Sequence, residues 1–239
     1  MMNTDTSKAF DCEINPVYCQ TRLEKTEREV LGRNKVVSLF DDDHAADQLK
    51  ILDTRILNKL EETGGNTLLV TSPGRQEGKT LTAINLAVSF SQKVDRTVLL
   101  VDADLRLPSI HRYLGMPRQK GLSDYLLREA EISDLLINPD IAKLVFLPAG
   151  RPLPNPSEHL GSPRMKELVR EMKTRYPERL IIFDSPPLLS FADTLIFSSM
   201  VDGILLVVEA EKTLAADIEK TMGLLRDKPL IGTVFNKAR

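Results

Sequence analysis

The chain has 239 residues, 42% apolar and 28% charged, with a formal charge of −2. That suits one buried α/β core and supplies no basic field for nucleic acid. Trp is absent and aromatics reach only 5%, so base-stacking platforms lack material too.

Residues 1–43 read as a separate polar arm. Pro16 interrupts it, charges of both signs crowd Arg22–Arg33, and Asp41–Asp43 form an acidic run. With so little hydrophobicity, a helix from Val17 to about Leu31 and partial disorder are equally good expectations. Cys12 and Cys19 match no zinc spacing and read as free thiols of a reducing cytoplasm. No apolar h-region opens the chain, and no run approaches the ~20 residues of a spanning helix. A cytoplasmic protein is expected, with any membrane contact made through a partner.

From residue 44 to residue 239 the pattern becomes that of one domain. Leu49, Leu52, Ile56 and Leu60 predict a helix with one apolar face, stopped by Gly64-Gly65. Continuously apolar runs of strand length follow: Thr67–Ser72, Thr97–Asp102, Leu144–Leu147, Leu180–Asp184, Gly203–Glu209 and Ile231–Asn236. Such runs suit central strands covered on both faces. Helical segments separate them. Leu81, Ile84, Ala87 and Val88 mark the first. Ser162 as N-cap, Pro163, and the stripe Met165, Leu168, Val169 and Met172 mark another. Leu214, Ile218, Met222 and Leu225 mark the last. The alternation predicts an α/β fold with a mostly parallel central sheet and helices on both faces.

The segment TLLVTSPGRQEGKTLTAINLA runs from an apolar strand through a Pro/Gly loop into Gly78-Lys79-Thr80 and an apolar helix. This is the context of a phosphate-binding loop: backbone N–H groups and the helix N-terminus face the phosphates. Lys79 would neutralise β/γ-phosphate oxygens and the Thr80 hydroxyl would ligate Mg²⁺. Pro73 stands where the general pattern has glycine, with Gly74 one residue late. Taken alone, the motif also fits a lysine opening an ordinary helix.

Two further strands end in acids: VLLVDADLRLP with Asp102, Asp104 and Arg106, and LIIFDSPP with Asp184. Ligands of open α/β sheets gather at the carboxyl ends of strands, and a Mg²⁺ ion would offset the desolvation of these carboxylates. Asp193 and Asp202, by contrast, read as helix-cap or turn residues. Asn236, after the last strand, fits either an adenine edge or a turn.

These residues resemble the bacterial tyrosine kinases (BY-kinases), P-loop proteins of capsule and exopolysaccharide export. Gly78-Lys79-Thr80, Asp102–Arg106 and Asp184–Pro187 look like that family's Walker A, A′ and B motifs. The branch most resembled is the exosortase-associated tyrosine autokinase, through NTLLVTS, EGKTLTAINLA, TVLLVDADLRLPSIHRYLG, GLSDYLL, LPAGRPLPN and FDSPPLL, over roughly residues 45–238. The resemblance implies a SIMIBI/MinD-like P-loop NTPase fold and ATP-dependent autophosphorylation on tyrosine. It also implies a homo-oligomer, recruited to the inner membrane by a Wzz-type chain-length co-polymerase.

Carried onto matching positions, it implies a catalytic set of Asp102, Lys79, Asp104 and Arg106, with Asp102 as base toward the tyrosine. It implies nucleotide contacts from Pro73, Gly74, Arg75, Gln76, Glu77, Gly78, Lys79, Thr80, Leu81 and Asn236, and Mg²⁺ held by Thr80, Asp104 and Asp184. Two features depart from the family. No tyrosine cluster follows Tyr176, leaving as acceptor Tyr18, a partner or none. The ring motif of the first helix reads Asp47, Lys50, Asp53, with an acid in the last cationic place. A non-catalytic, ATP-using adaptor is the alternative these features favour. A ParA/MinD-like positioning ATPase ranks lower, because its signature lysine is replaced by Gly74 beside Arg75.

Overall fold

The computed structural model describes residues 21–40, 44–176 and 178–238. Cys12, Cys19, Tyr18 and Asp41–Asp43 lie outside them. The strands are β1 (Arg22–Leu23), β2 (Thr67–Thr71), β3 (Thr97–Asp102), β4 (Ile137–Asn138), β5 (Leu144–Leu147), β6 (Arg179–Asp184), β7 (Gly203–Glu209) and β8 (Leu230–Asn236). They form a single sheet in the order β1-β4-β5-β3-β6-β2-β7-β8, with every pairing parallel except β4 to β5. All six strands expected from the apolar runs are present. β1 and β4, two residues each, are too short to leave a periodic signal.

The strands are apolar throughout because both faces are covered. Leu68, Val70, Leu100, Ile182 and Val207 face one side, with Ile56 and Leu60 of α2 (His44–Glu62) and the apolar side chains Ala83 to Phe90 of α3 (Lys79–Ser91). Leu69, Val101, Ile181 and Phe183 face the other, with Met165, Leu168 and Val169 of a helix at Pro163–Arg175. Phe183 meets Phe197 edge-on at 4.8 Å there. Each such buried side chain contributes roughly 1.5–3 kcal/mol.

Local signals act where expected. Ser162 Oγ accepts from Met165 N (3.2 Å) to cap the Pro163–Arg175 helix. α2 stops at Gly64, whose φ of +64° lets Gly65 N return to Leu60 O (2.8 Å). α2 packs against both α3 and β8. The last helix, Ala215–Leu224, forms where expected but buries little: Leu214 is 67% exposed and Met222 43%, while Leu225 just beyond it is buried.

Residues 21–40 correct the expectation of a separate arm. β1 joins the sheet beside β4, and α1 (Arg28–Arg33) drops Leu31 into the α3-side core, followed by Val36. Ser38 Oγ donates to Asn85 O (2.9 Å). Two well-spaced apolar side chains and a few backbone contacts suffice to dock a stretch that its mean composition would leave free. Among the described residues no helix is long and apolar enough to cross a membrane.

Candidate active site

The loop between β2 and α3 is held open by its own side chains and by the end of β8. Gly78 takes φ +98°, and a β-carbon there would lie 1.9 Å from Asn236 Nδ2, so only glycine fits. Asn236 Nδ2 donates to Glu77 O (2.9 Å), and Lys237 Nζ donates to Gln76 O (2.8 Å) while pairing with Glu209 (3.0 Å). Glu77 accepts from Gly74 N (3.1 Å) and from Thr213 Oγ1 (2.7 Å). At Pro73, which replaces the usual glycine, the carbonyl accepts from Leu189 N (3.2 Å), tying the loop to the segment after β6.

The loop opens on a cavity of about 620 Å³. Of the expected nucleotide contacts, Arg75, Gln76, Gly78, Lys79, Thr80, Leu81 and Asn236 line it. Pro73, Gly74 and Glu77 are not in its wall and shape the loop instead.

β6 lies between β3 and β2, which brings three acids to the loop. Asp102 stands opposite Asp184 in register. Thr80 Oγ1 donates to Asp184 Oδ2 (2.6 Å); Lys79 Nζ lies 3.4 Å from Asp104 Oδ2, 3.8 Å from Asp184 Oδ1 and 3.2 Å from Thr80 Oγ1. Asp102 accepts from Asp104 N (3.3 Å), Ser109 N (3.1 Å) and Ile110 N (3.2 Å). Asp104 lines the cavity, whereas Asp102 and Asp184 are fully buried behind it.

The electrostatics follow from that crowding. Burial, with the facing carboxylates of Asp184 and Asp104, holds Asp102 well above the usual carboxylate range. Burial pushes Asp184 up to about 6 against the opposing pull of Lys79 and Thr80. Burial alone would depress Lys79, but Asp184, Asp104 and Asp102 outweigh it and hold the ammonium above its ordinary value. Asp184 Oδ1 is buried without a hydrogen-bond donor, with the Lys79 ammonium 3.8 Å away, and has room in its bonding for a metal ion. No group of three His, Cys, Asp or Glu converges as a metal site among the described residues. The residues that would hold a magnesium ion are Thr80, Asp184 and Asp104, whose oxygens gather around Lys79.

Arg106 does not reach the cavity wall. It pairs with Asp193 (2.7 and 2.9 Å) and stacks on Phe191 at 4.2 Å. Asp193, expected as a cap or turn residue, is fully buried, bonded also to Ser157, and holds the Arg106 guanidinium firmly protonated. Asp202 likewise exceeds a turn role: it accepts from Asn66 N (3.0 Å) and Thr67 Oγ1 (2.7 Å) and pairs with Lys173 (2.5 Å). Asn236, expected at adenine or in a turn, latches the loop. Neither Asp193 nor Lys35, which also lines the cavity, carried a motif signal.

A family model described as an AAA domain matches residues 76–226. Tyrosine-protein kinase YwqD of Bacillus subtilis is 32% identical over 217 residues, 90% of this chain and 90% of that protein. The chain belongs to the bacterial tyrosine-protein kinase family. This kinase domain is also 32% identical over 207 residues to the putative tyrosine-protein kinase EpsB of Ralstonia nicotianae. That match takes in 86% of this chain but only 27% of the longer relative. Among solved structures, the chimerical protein CapA2B2 superposes with a TM-score of 0.80 at 26% identity, covering 91% of this chain and 94% of that one. The kinase domain of Escherichia coli ETK gives 0.78 at 25% identity, covering 94% and 92%. MinD of Pyrococcus horikoshii, solved with Mg-ADP, gives 0.59 at 22% identity over 71% of this chain and 69% of that one, a likeness of P-loop fold alone.

Proposed function

We propose that this domain transfers the terminal phosphoryl group of ATP to a tyrosine hydroxyl and regulates exopolysaccharide or capsule polymerisation beside a Wzz-type membrane co-polymerase. The observation that carries the reading is the bonding of Lys79 and Thr80 to acids delivered by two other strands. Phosphoryl transfer is mostly positioning and charge neutralisation. Backbone N–H groups of the loop would cradle the phosphates, and Lys79 would neutralise their outer oxygens. Thr80, Asp104 and Asp184 would hold magnesium, which supplies further charge neutralisation when bound. As the bond between the γ-phosphorus and the ADP oxygen breaks, one forms to the tyrosine oxygen. Its proton passes to Asp102, whose carboxyl burial and the facing acids hold above the usual carboxylate range. Asp104 is the competing acceptor, because it is the acid on the cavity wall.

The acceptor tyrosine belongs to the same proposal: Tyr18, or a tyrosine of a partner. Recruitment to the inner membrane and assembly of copies also belong here, the latter through the outer side of α2, where Asp47 and Lys50 are exposed and paired at 3.3 Å. The test is mass spectrometry for phosphotyrosine after incubation with Mg-ATP, with and without the co-expressed membrane partner. Phosphotyrosine that disappears in Lys79→Met supports the reading. Its absence from wild type in both settings sinks kinase activity. An Asp102→Asn variant that loses turnover but leaves polymer output unchanged would favour the adaptor instead.

A further inference from the structure

The residues ahead of α2 supply part of the wall of the cavity. Lys35 lines it together with Lys79, Thr80 and Leu81, although it comes from the stretch whose composition sets it apart from the domain. Its backbone is held from two sides. Asn34 Nδ2 donates to Tyr113 O (2.8 Å), and Asn85 Nδ2 donates both to Lys35 O (3.0 Å) and to Leu81 O (3.1 Å). Asn85 is 4% exposed, and its Oδ1 accepts from Ser38 N (3.2 Å). One buried amide thus ties Lys35 to the first turn of α3, whose free N–H groups and dipole favour negative charge.

Lys35 itself has no ion pair and no side-chain hydrogen bond among the described residues. Its backbone sits in the left-handed region, φ +60°. The turn is the same one that ends α2. Val36 N bonds Leu31 O (2.9 Å) and Lys35 N bonds Gly32 O (3.0 Å), as Gly65 N bonds Leu60 O (2.8 Å) and Gly64 N bonds Glu61 O (3.0 Å). Glycine is the usual occupant of that position, because a β-carbon strains it. Lysine therefore stands where backbone stability alone would place glycine, with an uncommitted ammonium on a cavity already lined by the phosphate loop.

We infer that Lys35 is a nucleotide contact, its ammonium binding the diphosphate common to ADP and ATP. The inference rests on the cavity being the nucleotide site. It makes the segment ahead of α2 a working part of that site.

The strained cap provides the decisive variant. Lys35→Gly removes the ammonium and relieves the left-handed backbone, so it weakens binding without weakening the fold. MgADP and a magnesium-bound non-hydrolysable ATP analogue are titrated calorimetrically into wild type, Lys35→Gly and Lys35→Arg, and the nucleotide-free proteins are melted. The expected result is a loss of affinity of roughly tenfold for both ligands in Lys35→Gly, with a melting temperature no lower than wild type. Binding also becomes less sensitive to salt, and Lys35→Arg stays within about threefold of wild type. Unchanged affinity in Lys35→Gly overturns the inference, as does a loss accompanied by a lower melt or one confined to the ATP analogue. Wild type that binds neither ligand is a different result: it overturns the nucleotide reading of the cavity itself.

Discussion

Replacing Asp53 with asparagine should stabilise the domain at neutral pH and slightly destabilise it in acid. Asp53 lies on α2 at 1% exposure, accepts one hydrogen bond from Ser89, and leaves Oδ1 buried without a partner. Burial raises its pKa from 3.8 to about 6, against the opposing pull of Ser89 and Lys93. A carboxyl raised in the folded state favours folding while protonated. That contribution is complete below about pH 3.8 and is lost as pH rises through about 6. The difference of about 2 pK units, at 1.36 kcal/mol each, makes the ionised form cost about 3 kcal/mol above pH 7. Asparagine keeps an acceptor for Ser89 but turns an NH₂ toward the spot where Oδ1 stands alone, at a cost of about 1 kcal/mol or more. The net gain is then about 1–2 kcal/mol at pH 8, or a few degrees in melting temperature for a domain of this size. Urea unfolding of both proteins from pH 4 to pH 8 measures it. The variant should be about 1 kcal/mol less stable in acid, and the two stability curves should cross between pH 4 and 6. Parallel curves, or a variant less stable at pH 8, would refute the reasoning.

Three other outcomes follow from the site. Gly78→Ala places a β-carbon onto Asn236 Nδ2 at φ +98°; it should lose nucleotide binding and about 2 kcal/mol or more of stability, read by calorimetry and denaturation. Asp184→Asn removes a carboxyl that burial has pushed up to about 6. The nucleotide-free protein should melt a few degrees higher at pH 7.5, while magnesium no longer strengthens nucleotide binding. With Asp102 as base, phosphotyrosine formation should rise with pH as its raised carboxyl loses a proton. Asp102→Asn should abolish that inflection, and an inflection kept there but lost in Asp104→Asn would transfer the role to Asp104.

Much of this was legible wherever one physical signal dominates a local stretch. Continuous apolar runs announced the six long strands, and acids at the ends of two of them announced the convergence on Thr80, because buried strand ends hold carboxylates only with partners. Pairs remote in sequence stayed hidden. Arg106 and Asp193 are 87 residues apart, and nothing local in Ser190–Asp193 distinguishes a buried ion pair from a turn. The docking of Leu31 and Val36 was masked by averaging over a polar neighbourhood. Asp53 is a different case. It falls between Leu49, Ile56 and Leu60 on the apolar stripe of α2, so helical periodicity alone places it inward. The ring motif led instead to reading that position as an acid in a cationic place.

α2 has a mechanical position as well as a chemical one. It leans on α3, which carries Thr80, and on β8, whose last residue, Asn236, latches the loop. The entrance and the fastening of the loop thus share one strut. A load on the strut's solvent side reaches both supports of the loop together.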